Sequence, residues 1–474
     1  MRTLDDYSRE RTEHWDGVAR SYHTKRGFGA GYHRRLSQIY RHLIPAGASV
    51  LEIGCGAGDL LASLQPSRGV GVDFSAVALE QAREKHPGLE FVQADAHALA
   101  LGETFDVVIL SDLLNDLWDV QTVLEVAHRH CHANSRLIIN TYSRLWQAPL
   151  SLAASLGLAR PNLEQNWLEV KEIANLLYQS DFEVLRKVPE FLFPLPIPLL
   201  EPFMNRFVVR FWPFRYLALT NIFIARRLPQ PDPAAQPSVS VLVPARNEAG
   251  NIPRILERVP TMGSKTEIVF VEGHSRDDTY QAILDNVAAH PEKPCIVMKQ
   301  TGVGKGDAVR AGFAAATGDI LMILDADLTV PPEDLPRFYR ALVSGKGEFI
   351  NGVRLVYPME EQAMRFMNLL GNKFFSMAFS WLLGQPISDT LCGTKVLWRE
   401  DYLRIAANRN YFGDFDPFGD YDLLFGAARL NLKIVDMPVR YRERTYGDTN
   451  IERWKHGWLL LRMVAFAARR LKFI

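Results

Sequence analysis

Cysteine is scarce in this sequence, and a net charge is absent. Four cysteines are spread over 474 residues, and no two of them form a C-x-x-C pair. This spacing excludes an ordinary zinc site and a disulfide framework, and it predicts a reduced, cytoplasmic compartment. Basic and acidic residues both number 54, so the overall charge gives no reason to expect nucleic acid as a partner.

Long apolar runs are missing as well. The N-terminal segment lacks the apolar region of a signal peptide, so nothing in it marks the chain for export. Residues 191–225 are largely apolar but carry five prolines and three arginines, whereas a spanning helix needs about 20 mostly apolar residues. A simple membrane span is therefore excluded.

Residues 453–474 are predicted to form a basic amphipathic helix with tryptophans. Lys455, Arg462 and Arg469 recur along one stripe of this helix. One interpretation is that the helix lies in a lipid headgroup layer, which would attach the protein peripherally to the cytoplasmic face of a membrane. The other is that it packs on its own domain, and the sequence leaves both open.

The domain organisation follows from a proline-rich interruption. A chain of this length is expected to hold two or three domains. The stretch RLPQPDPAAQPS contains four prolines and no apolar periodicity, which is typical of a semi-rigid linker. On both sides of it, short β-branched runs alternate with helical patterns and predict parallel α/β sheets. We therefore predict two Rossmann-like α/β domains, residues 1–228 and 238–452, joined by a Pro-rich linker at 229–237 and followed by the helix at 453–474.

A glycine-rich loop follows the first strand pattern of the N-terminal domain. In SVLEIGCGAGDLLASL, glycines at 54, 56 and 58 permit a tight turn and let a ligand approach the backbone. Asp59 stands where a dinucleotide fingerprint requires glycine, which argues against NAD. The next two strands end in Asp73, suited to ribose hydroxyls, and in Asp95, within reach of an adenine amine.

The E-x-G-x-G-x-G pattern of residues 52–58, the two strand-end aspartates and the later strand FDVVILSDLLND resemble the class I S-adenosylmethionine-dependent methyltransferases. The resemblance covers about residues 10–225 and implies that S-adenosyl-L-methionine is the cofactor. The binding residues that it implies are Glu52, Gly54, Gly56 and Gly58 for the methionine part, Asp73 for the ribose, Asp95 and Ala96 for the adenine, Ser111 with Asp112 on the methyl side, and Tyr22 on a lid helix.

Methyl transfer requires little acid–base chemistry from the protein. The sulfonium is already activated, so alignment supplies most of the rate advantage. A general base is needed only for some acceptors, and His14, His23 and His97 are the candidates. Each of these is more often an ordinary surface or core histidine.

Two aspartates close an apolar run in the C-terminal domain. In MILDADL, Asp325 and Asp327 are two apart on a predicted strand, so both point to one side while Ala326 faces away. Two like charges at this spacing call for a cation, and oxygen ligands suit Mg²⁺ or Mn²⁺. Because magnesium binds through one or two carboxylates plus phosphates, the pair predicts a diphosphate-bearing substrate.

Three further motifs accompany this pair: P-x-x-N-E at 244–248, an acid after the next strand, and a K-G-x-A loop at 305–308. Together they resemble family 2 glycosyltransferases of the GT-A fold, most of all the dolichol- and polyprenyl-phosphate sugar transferases, over about residues 238–450. The resemblance implies a nucleotide-sugar donor held by Pro244, Arg246, Glu248, Glu272, Lys305, Asp325 and Ala326, with Asp325 and Asp327 as metal ligands. Glu272 and Thr329 depart from the family, which commonly has aspartate and glutamine at these places.

Downstream motifs concern the acceptor. SDTLCGTK places Asp389 where the family has D-x-x-S-G-F-R, and Arg365 and Arg444 suit an anionic acceptor or the leaving diphosphate. These three are the predicted catalytic residues. A lipid-phosphate acceptor would arrive mostly ionised and need no base. An alcohol acceptor would need a carboxylate, for which Asp389, Asp420 and Asp422 are candidates.

Two functional hypotheses follow. In the first, the chain is a bifunctional transferase: an inverting, metal-dependent sugar transfer from a nucleotide sugar to a polyprenyl-phosphate or other lipid or glycan acceptor, plus methylation in the same pathway. In the alternative, one glycosyltransferase is active, and the N-terminal domain is a non-catalytic cofactor-binding or scaffolding module. A sugar nucleotidyltransferase is disfavoured because no G-x-G-T-R-type loop stands near the first strand of the C-terminal domain.

Overall fold

The computed structural model describes residues 4–21, 29–156, 163–354, 366–409, 421–442, 446 and 453–473. The chain forms two compact units, Met1–Leu228 with Phe473–Ile474, and Pro229–Lys472. Within the described residues, each unit is built on one seven-stranded sheet with helices on its faces. The predicted class of two Rossmann-like α/β domains is confirmed.

The first unit has the strand order β3-β2-β1-β4-β5-β7-β6. Its strands are β1 (Ser49–Ile53), β2 (Arg68–Asp73), β3 (Glu90–Gln93), β4 (Phe105–Ser111), β5 (Cys131–Tyr142), β6 (Phe182–Glu190) and β7 (Thr220–Arg227). Its helices are α1 (Leu4–Ser21), α2 (Gly29–Leu43), α3 (Asp59–Leu64), α4 (Ala76–Lys85), α5 (Val120–Arg129), α6 (Gln147–Ser155), α7 (Val170–Gln179) and α8 (Leu200–Arg206).

The central strands of this sheet are buried on both faces, which explains their continuous apolar sequences. Val50, Leu51 and Ile53 of β1 are fully buried and divide between two hydrophobic clusters, one on each face. The sheet is mixed rather than wholly parallel, contrary to expectation. β7 runs antiparallel to both β5 and β6, because the connection after β6 returns the chain beside its own strand.

The second unit has the strand order β10-β9-β8-β11-β13-β12-β14. Its strands are β8 (Val239–Ala245), β9 (Thr266–Glu272), β10 (Cys295–Lys299), β11 (Ile320–Ile323), β12 (Phe349–Val353), β13 (Lys395–Trp398) and β14 (Ile434–Pro438). Its helices are α9 (Ile252–Arg258), α10 (Thr279–Ala289), α11 (Lys305–Ala315), α12 (Leu335–Val343), α13 (Phe366–Leu383), α14 (Arg399–Ala407), α15 (Tyr421–Arg429) and α16 (Arg453–Ala467).

This second sheet is also mixed, because β13 runs antiparallel to β11 and β12. Strands β10, β9, β8 and β11 are parallel, so their carboxyl ends share one edge. A ligand is expected at this edge in an open α/β sheet. One expectation was wrong in detail: β11 ends at Ile323, so Asp325 and Asp327 lie in the turn beyond the strand and not on it.

Helix α16 has one face buried and one face exposed. It contacts α13, and Leu460, Met463 and Ala467 are buried, whereas Trp458 and Leu461 are exposed. This supports packing on its own unit, and the headgroup interpretation stays a prediction. Of the helices in the described parts of the chain, none has the length and apolar character needed to cross a bilayer.

Candidate functional site

A cavity of about 350 Å³ lies at the carboxyl edge of the first sheet. It brings together eight of the predicted cofactor-binding residues: Glu52, Gly54, Gly56, Asp73, Asp95, Ala96, Ser111 and Asp112. Helix α1 closes one side, with Tyr7, Ser8, Arg11 and Trp15 in the lining. The volume suits a small organic cofactor.

Among the predicted cofactor residues that the structure describes, Gly58 is the one that does not line this cavity. Its φ is +73°, and a Cβ atom there would lie 2.7 Å from the ring of Phe91. Gly54 has φ +79°, and its Cβ atom would lie 2.9 Å from the side chain of Leu113. Both glycines are therefore required by backbone conformation and packing, and only Gly54 also faces the cavity.

Asp73 fixes the glycine loop while facing the cavity. One carboxylate oxygen accepts a hydrogen bond from the Gly56 backbone N–H at 2.9 Å, and the other accepts from the Ser75 N–H at 2.9 Å. Burial raises the pKa of Asp73 above its ordinary value. Each oxygen retains a further lone pair, so the carboxylate is able to accept from ribose hydroxyls as well.

Asp95 also lines the cavity and is charged. It accepts from the ring Nδ1 of His97 at 2.6 Å and from the His97 backbone N–H at 2.8 Å, which lowers its pKa to about 2. The Ser8 hydroxyl of α1 donates to its other oxygen at 3.1 Å. The Nε2 atom of His97 accepts from the Asp119 N–H at 3.2 Å, so both ring nitrogens of this candidate base are already hydrogen-bonded.

Glu52 lines the cavity and is buried. Its carboxylate accepts a hydrogen bond from the Leu61 N–H at 3.1 Å. Removal from water raises its pKa to about 8, and the charges of Asp73 and Asp59 act in the same direction. Glu52 is therefore mostly protonated at neutral pH until a positive charge arrives beside it.

Asp112 belongs to a polar network whose other members the sequence reasoning did not name. It has φ +53°, and one oxygen accepts from the Tyr32 hydroxyl at 2.8 Å and from the Asn140 amide at 2.5 Å. The Tyr40 hydroxyl donates to the Asn140 oxygen at 2.7 Å. Burial raises the pKa of Asp112 to about 7. No sequence signal joins α2 to β5, and these partners meet only in the folded sheet.

In the second unit, Asp325 forms an ion pair with Lys305. The Nζ atom lies 2.6 Å from Oδ1, and both side chains are roughly three-quarters buried, at 27% and 28% exposure. Burial alone would raise the pKa of Asp325, but the positive charges of Lys305, Lys395 and Arg354 outweigh it and hold the pKa below its ordinary value. The carboxylate is therefore ionised and oriented at the carboxyl edge of the sheet.

Gly393 makes this ion pair possible. A Cβ atom at position 393 would lie 2.0 Å from Oδ2 of Asp325 and 2.4 Å from Nζ of Lys305. These distances are far below any real contact, so a side chain there would displace one member of the pair. Gly393 was noted in the sequence only as part of the acceptor-side motif.

Asp327 lies in the same turn as Asp325. Both are partly exposed, and Ala326 between them is buried. One oxygen of Asp327 accepts from the Thr329 hydroxyl at 2.8 Å and from the Thr329 N–H at 3.1 Å. Thr329 therefore orients Asp327 from the position where the family commonly has glutamine.

The predicted base- and ribose-binding residues meet at the same edge. Strand pairing sets Ala245 opposite Glu272, which places the Pro244–Glu248 turn beside the end of β9. Glu272 accepts from the Ser275 N–H at 2.5 Å, and Glu248 accepts from the Asn251 amide at 2.7 Å. Both acids are buried, whereas Arg246 is exposed.

Asp389 has an environment that differs from the expected one. It is fully buried and forms a bidentate ion pair with Arg354, at 2.7 Å to Nε and 2.9 Å to Nη2. Burial would raise its pKa, but Arg354 lowers it to about 2. The Leu391 N–H also donates to it at 2.9 Å. This arrangement favours a structural role over proton transfer, and the catalytic role of Asp389 stays a prediction.

The remaining acceptor-side predictions divide into two groups. Asp422 is buried and accepts from Nε of Arg409 at 2.7 Å. The described residues do not include Arg365, Arg444 and Asp420. They also do not include Tyr22 and His23, which were predicted for the first unit. In the described ranges, no cluster of three or more histidine, cysteine, aspartate or glutamate side chains is arranged to hold a metal ion.

Two protein families match separate parts of the chain. Residues 240–403 match the family described as glycosyl transferase family 2, and residues 44–180 match the family described as methyltransferase domain. The resemblance recognised from the motifs is confirmed. The chain therefore carries a methyltransferase domain at residues 44–180 and a family 2 glycosyltransferase domain at residues 240–403.

One curated relative is the undecaprenyl-phosphate 4-deoxy-4-formamido-L-arabinose transferase of Klebsiella pneumoniae, which is 27% identical over 215 residues. The match covers 44% of this chain and 62% of that protein, so less than two thirds of the relative is spanned.

Solved structures resemble each unit. A S-adenosylmethionine-dependent methyltransferase from Mesorhizobium loti is 20% identical with a TM-score of 0.33, covering 42% of this chain and 100% of that chain. The other structure is the glucosyl-3-phosphoglycerate synthase from Mycobacterium tuberculosis, in complex with Mn²⁺, uridine diphosphate and glucosyl-3-phosphoglycerate. It is 19% identical with a TM-score of 0.37, and the match covers 50% of this chain and 81% of that chain.

Proposed function

We propose that the second unit transfers a sugar, with inversion, from a nucleotide sugar to a polyprenyl phosphate or a related lipid or glycan acceptor. The observation that carries this proposal is the Lys305–Asp325 ion pair, 2.6 Å long, which stands beside Asp327 where the parallel strands end. An ammonium and two carboxylates at one sheet edge are suited to a diphosphate and its counter-ion.

A divalent metal fits the residues present. Asp325 and Asp327 would hold it, because both offer hard oxygen ligands in the same turn. In the described ranges no further acid, histidine or cysteine joins them, which leaves the other positions to water and donor phosphates, as magnesium prefers. When bound, the metal would neutralise charge on the departing nucleoside diphosphate. Lys305 would face the same phosphates, and Thr329 would keep Asp327 oriented.

A phosphate acceptor agrees best with the ion pairs of this unit. Asp389 and Asp422, the candidate bases within the described residues, are both engaged with arginines. A phosphate monoester has a second pKa near ~6 and needs no base at neutral pH. The relative from Klebsiella pneumoniae is named for undecaprenyl phosphate, which supports a lipid-phosphate acceptor.

Sugar transfer is tested directly on the full chain. The protein is incubated with undecaprenyl phosphate, Mn²⁺ and a panel of nucleotide sugars, and the lipid extract is analysed by mass spectrometry. We expect a glycosylated lipid phosphate and release of nucleoside diphosphate. Release of pyrophosphate instead would revive the nucleotidyltransferase hypothesis, and no product with any donor would refute the proposal.

We propose that the first unit binds S-adenosyl-L-methionine in its cavity and methylates a compound of the same pathway. The cavity fits this cofactor, because Glu52, Asp73 and Asp95 present three acids at its edges, as a cationic amino acid, a ribose and an adenine amine require. When bound, the cofactor supplies an activated methyl group. The residues of the first unit would hold and align the cofactor. Asp112, which lines the cavity, would be a polar contact for the methyl acceptor.

Two experiments distinguish an active methyltransferase from a non-catalytic cofactor-binding or scaffolding module. Isothermal titration of the full chain with S-adenosylmethionine tests binding, and absence of any heat of binding would remove the methyltransferase proposal. Incubation of lipid extracts with a labelled methyl donor then tests chemistry. Binding without label transfer would favour a scaffolding module.

The affinity for S-adenosylmethionine is expected to rise about tenfold between pH 6 and pH 7, because the proposed contact requires ionised Glu52 and the amino group of the ligand stays protonated in this range. With a pKa of about 8 in the ligand-free protein, only about a tenth of Glu52 is ionised at pH 7, and the apparent affinity falls by that fraction. Titration calorimetry across this range measures the effect.

The matched control is Glu52→Gln, which keeps the shape but does not titrate. Its affinity should be weaker and nearly independent of pH, whereas an equal dependence of affinity on pH in both proteins would contradict the role of Glu52.

The stability of the ligand-free protein should change with pH in the opposite direction to the affinity. Because the pKa is raised from about 4.5 to about 8, the unfolding free energy contributed by this group is lost as pH rises through that window.

The proposed acceptor implies a location. A polyprenyl phosphate resides in a membrane, so we propose a cytoplasmic protein attached peripherally to the inner face. The low number of cysteines agrees with this.

A further inference from the structure

The connection between β6 and β7 has its apolar side chains on the outside. Leu199 is 86% exposed and Trp212 is 77% exposed. We call the set the apolar surface; its members are Leu195, Ile197, Leu199, Leu200, Phe203, Phe207, Phe211, Trp212, Phe214, Tyr216 and Leu217. Contiguous exposed apolar patches of this kind on soluble proteins mark interaction sites.

The interior of the same connection holds a small hydrophobic cluster of Leu192, Val209 and Ala218 and, beside it, buried polar groups. Asn205 is 2% exposed, accepts from the Leu192 and Phe193 N–H groups at 2.8 Å, and donates to the Phe193 carbonyl at 2.9 Å. The Arg210 guanidinium is buried against the Glu190 carboxylate and donates to the Pro189 carbonyl at 3.3 Å. The connection therefore has an interior of its own and still leaves many large apolar side chains exposed, which is unusual for an ordinary surface loop.

A neighbouring helix extends the apolar surface. The Trp146 indole N–H donates to the Leu217 carbonyl at 2.9 Å, and the Ser143 N–H donates to the Leu219 carbonyl at 2.8 Å. These bonds place the start of α6 beside the end of the connection. Leu145, Leu152 and Leu156 are each more than 60% exposed there.

The charges around the apolar surface are mainly positive. Residues 191–219 contain three arginines and one acid, Glu201; Arg210 is buried against Glu190, which leaves two arginines on the surface. Arg206 and Arg215 are exposed, and their guanidinium groups lie 5.7 Å and 5.4 Å from the ring centres of Phe207 and Tyr216. Tryptophan, tyrosine and arginine beside exposed leucine and phenylalanine are the residues that occupy the headgroup boundary of a bilayer.

We propose that this apolar surface of the first unit inserts into the headgroup layer of an anionic lipid bilayer. The arginines match lipid phosphates, and the aromatic and aliphatic side chains enter the acyl boundary. None of the helices in the described ranges could span the bilayer, so the contact lies in the plane of the membrane. The inference rests on exposed side chains and not on the proposed sugar transfer.

Vesicle flotation of the full chain tests the proposal. Vesicles of phosphatidylcholine with roughly 30% phosphatidylglycerol are compared with phosphatidylcholine alone, since anionic lipid attracts basic side chains. We expect the double variant Phe211→Ser with Trp212→Ser to lower the bound fraction about tenfold. We expect Arg206→Gln with Arg215→Gln to lose the preference for anionic vesicles.

The matched control is the pair Tyr178→Ser and Val303→Ser, which removes similarly exposed apolar side chains elsewhere, at 68% and 83% exposure. This variant should bind as the wild type does. Absence of wild-type binding, or equal losses in control and test variants, would overturn the proposal.

The competing occupant is another protein, and light scattering after gel filtration addresses it. A wild-type oligomer that the Phe211 and Trp212 changes convert to a monomer, with vesicle binding unchanged, would overturn the lipid assignment. Sugar transfer to a short, water-soluble polyprenyl phosphate is measured in parallel. Its loss would refute the proposed function without affecting the vesicle result, so the two failures are distinguishable.

Discussion

Asp325→Asn is expected to lower the rate of sugar transfer about a thousandfold, with the fold retained. The change removes a negative ligand from the proposed metal and diphosphate site, and loss of one charge-stabilising group of this kind costs ~4 kcal/mol in a transition state. It also leaves Lys305, now 2.6 Å from that carboxylate, facing a neutral amide. Initial rates with a nucleotide sugar and lipid phosphate, measured against Mn²⁺ concentration, give the result.

Asp285→Asn is the matched control, because Asp285 is an exposed aspartate of the same unit on α10, with a hydrogen bond from Gln281 at 2.7 Å. Its turnover and metal dependence should equal those of the wild type. If Asp325→Asn turns over at the normal rate, with normal dependence on Mn²⁺, the metal and diphosphate assignment is wrong.

Asp389→Asn is expected to destabilise the second unit by ~3–5 kcal/mol. The change leaves the Arg354 guanidinium buried beside a neutral partner, and breaking a buried ion pair by removing one member has a cost of this size. Hydrogen exchange of peptides covering β12 and β13, which flank the pair, measures the local free energy of unfolding. The loss should be seen there before other parts of the chain.

The chain supplies a control with the same geometry and different burial. Arg258 and Glu333 also form a bidentate pair, at 2.7 and 2.9 Å, but their side chains are 26% and 55% exposed. Glu333→Gln should therefore cost less than ~1 kcal/mol. Equal losses at the two pairs would show that burial does not decide the stability of the Arg354–Asp389 contact.

Lowering the pH should weaken the Arg354–Asp389 ion pair and so destabilise the second unit. Arg354 lowers the pKa of Asp389 from its ordinary value near 3.8 to about 2. Stability from this ion pair is therefore fully present above pH ~4 and is lost as pH falls toward ~2. In Asp389→Asn that part of the acid sensitivity should disappear.

The sequence predicts those parts of the site that depend on where parallel strands end. Glu52, Asp73 and Asp95 follow or close three neighbouring strands, so the rule that strand ends share one edge brings them to one cavity. The glycines were expected to face the ligand as a group. Gly58 instead makes room for Phe91, which no local pattern distinguishes from cofactor binding.

Contacts between distant segments are what the sequence does not predict. Lys305 was predicted to hold the nucleotide-sugar donor, and Asp325 was predicted to hold the donor and a metal, each from its own motif. Their ion pair forms only because the fold brings α11 beside the turn that follows β11. Asp389 seemed a candidate base because nothing nearby in the sequence announces Arg354. The apolar pattern placed the end of β11 too late in the sequence. An apolar run does not show which residue makes the last hydrogen bond of the sheet.

The lysine beside Asp325 keeps that carboxylate ionised and screened in the ligand-free protein. A divalent metal held by Asp325 and Asp327 would take the place of the ammonium as the partner of Asp325. Lys305 would then be available to the phosphates of the donor at the same edge. Donor binding would therefore be an exchange of ionic partners rather than a simple addition.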